Sequence, residues 1–559
     1  MEYLHIRTMQ TISDLELLVT VEDLEAGYYV PATLPELSAA DLKGLGKLPL
    51  SERVSHLLLH YFPSFSAKEL YKLVKKHYGK LDTLPDLKPF NHYMPVYLAE
   101  LDKLSTGSIY DYILPLLLDL QVAALQKRND EREIVLLEHN LGNSSFSALV
   151  KALEELNWPK ITLYYNPKRI DPQIHKSISD RVEHVKLKAV DNALSLPTIN
   201  LFASRLNLIK AQLAKADKHL ESEQETEATL TSDNTGNLAS DYPAPTLSTL
   251  DSLPAVLIAS CLQLALLASL PLAKQADLWP QIEPVDEADD YKRNKDSQIV
   301  TPKPEPKKGY RTVNLFLPAK QGYLLLAACY SKIICPVVGK IYLAGKRGNM
   351  LSELVRFGNY EVKGKHNTFE LPVQLERMLF EFNSRDNQRS IALLNDFARK
   401  GTLQLPLVAK HNINGVVLAE LYTDKNEAKL MLNLYDRFDL MLPPLSVLAF
   451  AVYLKYYENI NSTDELGLVF VNASIFRYPE QVANALYADK VLQGHNFVEI
   501  MQALSLEACQ VFPDWFLFEH NIKADELVSL ERFDPEQHKA EFEKIRLEGL
   551  SEEEKANLV

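Results

Sequence analysis

TVNLFLP at Thr312–Pro318, GYLLLAACYSKI at Gly322–Ile333 and GKIYLAG at Gly339–Gly345 decide the reading of this chain. Two short runs rich in branched and aromatic residues enclose a longer apolar run of helical length, which predicts strand, buried helix, strand. The same alternation occurs upstream. REIVLLEH (132–139) reads as a strand, SFSALVKALEEL (145–156) as a helix, and KITLYYN (160–166) as the next strand. Short strands alternating with helices predict an α/β fold with parallel sheets.

At 559 residues the chain exceeds one compact core, so two or three domains are expected. Hydrophobic residues at 47% and charged residues at 24% give an ordinary globular balance. The net charge of −14 argues against general attraction to nucleic acid or anionic lipid. Cys261, Cys329, Cys335 and Cys509 lie in apolar runs without CxxC pairing, which predicts buried thiols in a reducing compartment. The N-terminal residues MEYLHIRTMQTISDLELL lack a basic-then-apolar leader, so a cytoplasmic location is expected. Pro254–Ala273 carries no charge, but its prolines, its polar residues and the lack of a flanking basic cluster predict a buried core helix, not a membrane span.

Composition divides the chain further. Residues 1–90 read as a mostly helical N-terminal unit, with helices in LSERVSHLLLHYF (50–62) and SAKELYKLVKKHYG (66–79), the second closed by Gly79. Residues 91–220 read as a first α/β domain and 311–559 as a second, with a core helix at 250–274. The intervening stretches 221–249 and 275–310 are rich in Ser, Thr, Pro and charge, and are expected to be disordered linkers. His56 and His60 have helical metal-pair spacing, but leucines fill the interval and packing is expected; no metal is.

Several segments resemble threonine synthase, a pyridoxal-phosphate enzyme of the tryptophan-synthase-β fold type. They are GYYVPATLPELS (27–38), NTFELPVQLERMLFEF (367–382) with LLNDFARKGTLQLP (393–406), and ELGLVFVNASIFRYPEQVANAL (465–486). Each is weak alone, but they run in the family's order. The resemblance implies two α/β domains with an extra N-terminal domain, and a cofactor in the cleft between them.

The same resemblance implies a site that this chain lacks. The family's HGPT-x-AFKD corresponds to TGSIYDYIL from Thr106, which puts Ile113 where the lysine belongs. An amine is required there, because the cofactor is held as an imine and the same nitrogen moves protons on the substrate. The phosphate loop corresponds to LPAKQGY (317–323), keeping Gly322 but placing Ala319 and Lys320 at the glycine and asparagine. A second loop becomes EHNLGNSS (138–145), in which Asn140, Gly142, Asn143 and Ser144 retain the makings of a turn. Pro444 stands for a histidine, and Asn472 for the threonine that meets the pyridine nitrogen.

These replacements imply a non-catalytic threonine-synthase-like protein with no bound cofactor, associating with itself or with an active threonine synthase. No nucleic-acid or membrane partner is expected. One rival is an active enzyme binding pyridoxal phosphate through another lysine, Lys320 being the candidate. The other is a metabolite-binding module.

Overall fold

The computed structural model describes residues 1–20, 22, 27–83, 87–90, 94–137, 143–165, 170, 175–176, 181–182, 184–189, 246–248, 252–271, 312–319, 322–361, 374–458, 465–486 and 519. The N-terminal unit carries a small antiparallel sheet as well as helices. Its strands are β1 (Glu2–His5), β2 (Thr11–Ser13) and β3 (Tyr29–Pro31), in the order β2-β1-β3. The helices Leu50–Tyr61 and Ala67–Tyr78 match the periodicity of their sequences. Ser66 and Glu69 form a capping box on the second, and Gly79 closes it in a right-handed conformation.

The remaining strands are β4 (Lys88–Pro89), β5 (Val96–Glu100), β6 (Ile134–Leu137), β7 (Ile161–Tyr165), β8 (Lys186–Ala189), β9 (Thr246–Ser248), β10 (Thr312–Pro318), β11 (Val338–Lys346), β12 (Asn359–Glu361), β13 (Thr402–Gln404), β14 (Val417–Tyr422) and β15 (Glu465–Val471). A parallel sheet of order β8-β7-β6-β9 forms one α/β unit. A six-stranded sheet of order β14-β11-β10-β15-β5-β4 forms the other, parallel except for β4. β12 and β13 pair separately. The helix Gly322–Ile334 crosses from β10 to β11, as the opening run predicts.

Two boundaries drawn from the sequence need correction. β5 lies inside the stretch assigned to the first α/β domain, yet it pairs with β15 in the larger sheet. β9 lies inside the expected linker 221–249, yet it pairs in parallel with β6. Both pairings join residues distant in sequence, and composition carries no trace of them. The rest of 221–249, all of 275–310, and Cys509 lie outside the described residues.

The apolar run after residue 250 forms the helix Leu253–Leu267, and every residue in it is buried. A helix apolar on all sides must be surrounded on all sides. It shares one core with the helices Leu50–Tyr61, Tyr110–Lys127 and Gly322–Ile334, so the N-terminal unit and both α/β units meet around it. Among the described residues, no helix is long and apolar enough to cross a membrane. Cys261, Cys329 and Cys335 are buried free thiols.

Arginines dock the N-terminal unit. Arg377 is fully buried; its Nε donates to Tyr29 O at 3.0 Å and its Nη2 to Glu22 Oε1 at 2.6 Å. Its guanidinium lies 4.7 Å from the centre of the Tyr28 ring. Glu22 also accepts from Leu253 N at 2.7 Å, at the start of the central helix. Arg7 makes two bonds to Glu376, at 2.9 and 2.8 Å, and Arg385 donates to Pro31 O and Ala32 O at 3.0 and 2.7 Å. GYYVP and QLERMLFEF, far apart in sequence, are therefore two halves of one joint.

Candidate functional site

In the larger sheet, β10, β11 and β14 step outward in chain order, while β15 and β5 lie on the other flank of β10. Winding reverses between β10 and β15, and in open α/β sheets the ligand crevice lies at the carboxyl ends of the strands at such a point. Here those ends are Ala319 after β10, Asn472 after β15, and the loop 101–109 after β5.

The loops are stitched together. Leu101 N donates to Val471 O at 2.8 Å, Ile109 N to Asn472 O at 2.8 Å, and Ser474 N to Gly107 O at 2.9 Å. Gly107 takes a positive φ of 62°, which lets the turn reverse at this point. Asp111, in the first turn of the helix Tyr110–Lys127, then folds back over the loop. Its carboxylate accepts from Thr106 N at 2.8 Å, Thr106 Oγ1 at 2.7 Å and Ser108 N at 3.4 Å. Arg477 holds the other side of Thr106, donating from Nε to its carbonyl at 2.7 Å and from Nη2 to the same oxygen. Arg477 in turn forms a two-point pair with Glu519, at 2.7 and 3.0 Å, with both side chains 3% exposed.

Burial pushes the Asp111 carboxyl up to about 6, against the pull of the Thr106 hydrogen bonds and the Arg477 charge. A carboxyl raised on folding adds stability below its unfolded value, and that stability is lost as pH rises through the folded value. Asp111→Asn is therefore expected to remove on the order of 2–3 kcal/mol of this pH dependence between about pH 4 and pH 7. Chemical denaturation of both proteins at each pH measures it. Asp102, also pushed up to about 6 by burial and then by Glu100, is present in both and cancels in the difference. Parallel wild-type and variant profiles would contradict the assignment.

Ile113 is fully buried in the core, on the same helix as Asp111. Ala319 is 2% exposed, and its N–H already donates to Ala344 O at 2.8 Å. Gly322 begins its helix, and a Cβ there would meet Leu351 Cδ1 at 3.1 Å and Gln374 Cγ at 3.5 Å. Asn472 is buried, and its N–H donates to Ser446 Oγ at 3.3 Å. Pro444 starts the helix Pro444–Tyr457. The backbone of Asn143 starts the helix Asn143–Glu154; Asn140, Gly142 and Lys320 lie outside the described residues. Among the described residues, no group of His, Cys, Asp and Glu could hold a metal ion. Thr106, Asp111, Arg477 and Glu519 escaped the sequence reading. Asp111 was in view in TGSIYDYIL, at the motif's alanine, but Arg477 and Glu519 join it only in three dimensions.

Solved threonine synthases align with this chain almost end to end. The yeast enzyme gives a TM-score of 0.68 at 15% identity, covering 98% of this chain and 99% of that one. The Brucella melitensis enzyme, solved with PLP bound, gives 0.66 at 15% identity, covering 99% and 100%. The chain has the threonine synthase fold. The Escherichia coli threonine synthase aligns at 0.56 with 13% identity, covering 87% and 91%. By sequence, the threonine-synthase-like chain is 25% identical over 182 residues to Threonine synthase-like 2 of Mus musculus, covering 31% of this chain. That stretch spans 37% of the mouse protein. No protein-family model matches.

The described residues that the resemblance assigns to the cofactor site do not fit pyridoxal phosphate. Ile113 lies in the core and carries no amine, and the Ala319 N–H is already donated to Ala344 O. The N–H groups of Thr106 and Ser108 already serve the chain's own carboxylate.

Proposed function

We propose that this protein is a non-catalytic relative of threonine synthase that uses the fold as a scaffold for association and neither holds pyridoxal phosphate nor makes threonine. The observation that carries the reading is that Ile113, which the family resemblance sets at the imine-forming lysine, is fully buried. An aliphatic side chain cannot anchor an aldehyde cofactor or move its proton. The surroundings support it, since Asp111, Thr106, Arg477 and Glu519 tie the loop to itself. Two of the motifs that resemble the family, GYYVP and QLERMLFEF, join the units. The test supplies purified protein with pyridoxal phosphate and O-phosphohomoserine and measures threonine. No threonine above a protein-free control is expected; sustained turnover ends the proposal.

A further inference from the structure

The helix Leu253–Leu267 has no polar face to decide which side turns toward which unit. Apolar burial is non-directional, so turning this helix about its axis, or sliding it along, exchanges one set of Leu, Ala, Val and Ile for another at little cost. Two of its ties to the rest of the fold are equally indifferent. Glu22 accepts from Leu253 N at 2.7 Å, and Arg53 Nη1 donates to Ala265 O at 3.1 Å. Both engage the main chain, which every residue carries.

Side chains supply what the backbone does not. Apart from the Cys261 thiol, Ser260 and Gln263 are the helix's only polar side chains, buried three positions apart on one face. Both meet the helix Gly322–Ile334. Ser260 Oγ lies 3.0 Å from Ser331 Oγ, and Gln263 Nε2 donates to Leu324 O at 3.2 Å. The hydroxyl of Ser331, itself fully buried, donates to Gln263 Oε1 at 3.2 Å or to Ala327 O at 2.9 Å.

We propose that Ser260, Gln263 and Ser331 are a register lock, which fixes the rotation and depth of the central helix and contributes little net stability. A buried polar group without a partner is costly, whereas its paired form roughly matches an apolar side chain of the same shape. The penalty therefore falls on every placement but one. Sliding the helix by three residues keeps one face toward Gly322–Ile334, but it brings Leu257 to the place of Ser260, or Leu266 to that of Gln263. Turning it by one residue, about 100°, takes both polar groups off the facing helix. A single buried polar position sets register in coiled coils by the same asymmetry. The consequence reaches the whole fold, because the N-terminal unit and both α/β units meet around this helix.

The test compares Ser331→Ala with the triple variant Ser260→Ala, Gln263→Met, Ser331→Ala in the full chain. Urea denaturation reads stability, and methyl NMR of Ile258, which rides on the central helix, reads its placement. Ser331→Ala strands Gln263 Oε1 and removes the partner of Ser260, so it should lower the folded-to-unfolded ratio about tenfold or more. The triple variant should regain most of that loss, since methionine keeps the length of glutamine without its amide. Its Ile258 δ1 methyl, one sharp signal in the wild type, should split or broaden as several placements are populated. A triple variant that fails to fold, or is no more stable than Ser331→Ala, overturns the proposal by making the network a stabiliser. One sharp Ile258 signal in a folded triple variant overturns it equally, because apolar shape alone would then set the register.

Discussion

Arg377→Ala is expected to cost about 3–5 kcal/mol of unfolding free energy, because it leaves the Glu22 carboxylate, only 3% exposed, without its guanidinium. Arg377 donates to Glu22, Tyr29 O and Gln374 Oε1, the last at 2.8 Å, and lies on the Tyr28 ring. Glu22 also accepts from Leu253 N, so the lesion should spread to the central helix. Urea denaturation measures the loss. A double-mutant cycle with Glu22→Gln should show strong coupling, since the two groups share one network. A loss below about 1 kcal/mol, the scale of an exposed pair, would contradict the buried joint.

Arg477→Met should have the second-largest effect, about 3 kcal/mol, by the same asymmetry. Methionine fills much of the arginine's volume but offers Glu519 and Thr106 O no donor. The double variant Arg477→Met, Glu519→Gln should recover part of the loss, because it no longer buries the carboxylate beside an apolar neighbour. Differential scanning calorimetry distinguishes the cases. Equal melting temperatures for the single variant and the wild type would mean that the Arg477–Glu519 pair contributes nothing to holding the loop.

Local pattern made most of the fold legible. The run from Thr312 to Gly345 reads strand, helix, strand and folds that way, with the crossover helix buried. The uniformly apolar run after residue 250 is a buried helix, as its lack of a polar face implies. What sequence could not supply was pairing between distant segments. β5 lies more than three hundred residues from β15, and the three-residue β9 is too short to show a period. The site was legible as a loss and illegible as a gain. The family resemblance alone sets Ile113 at the lysine's place, whereas the Asp111–Thr106–Arg477–Glu519 chain spans four positions that only the fold brings together.

The most direct measurement is reductive trapping. The purified chain is incubated with excess pyridoxal phosphate, reduced with borohydride, digested and mapped by mass spectrometry. No lysine should be stoichiometrically modified, Lys320 included, and scattered surface labelling should match that of an unrelated protein. One lysine carrying the reduced cofactor at full occupancy would contradict the account.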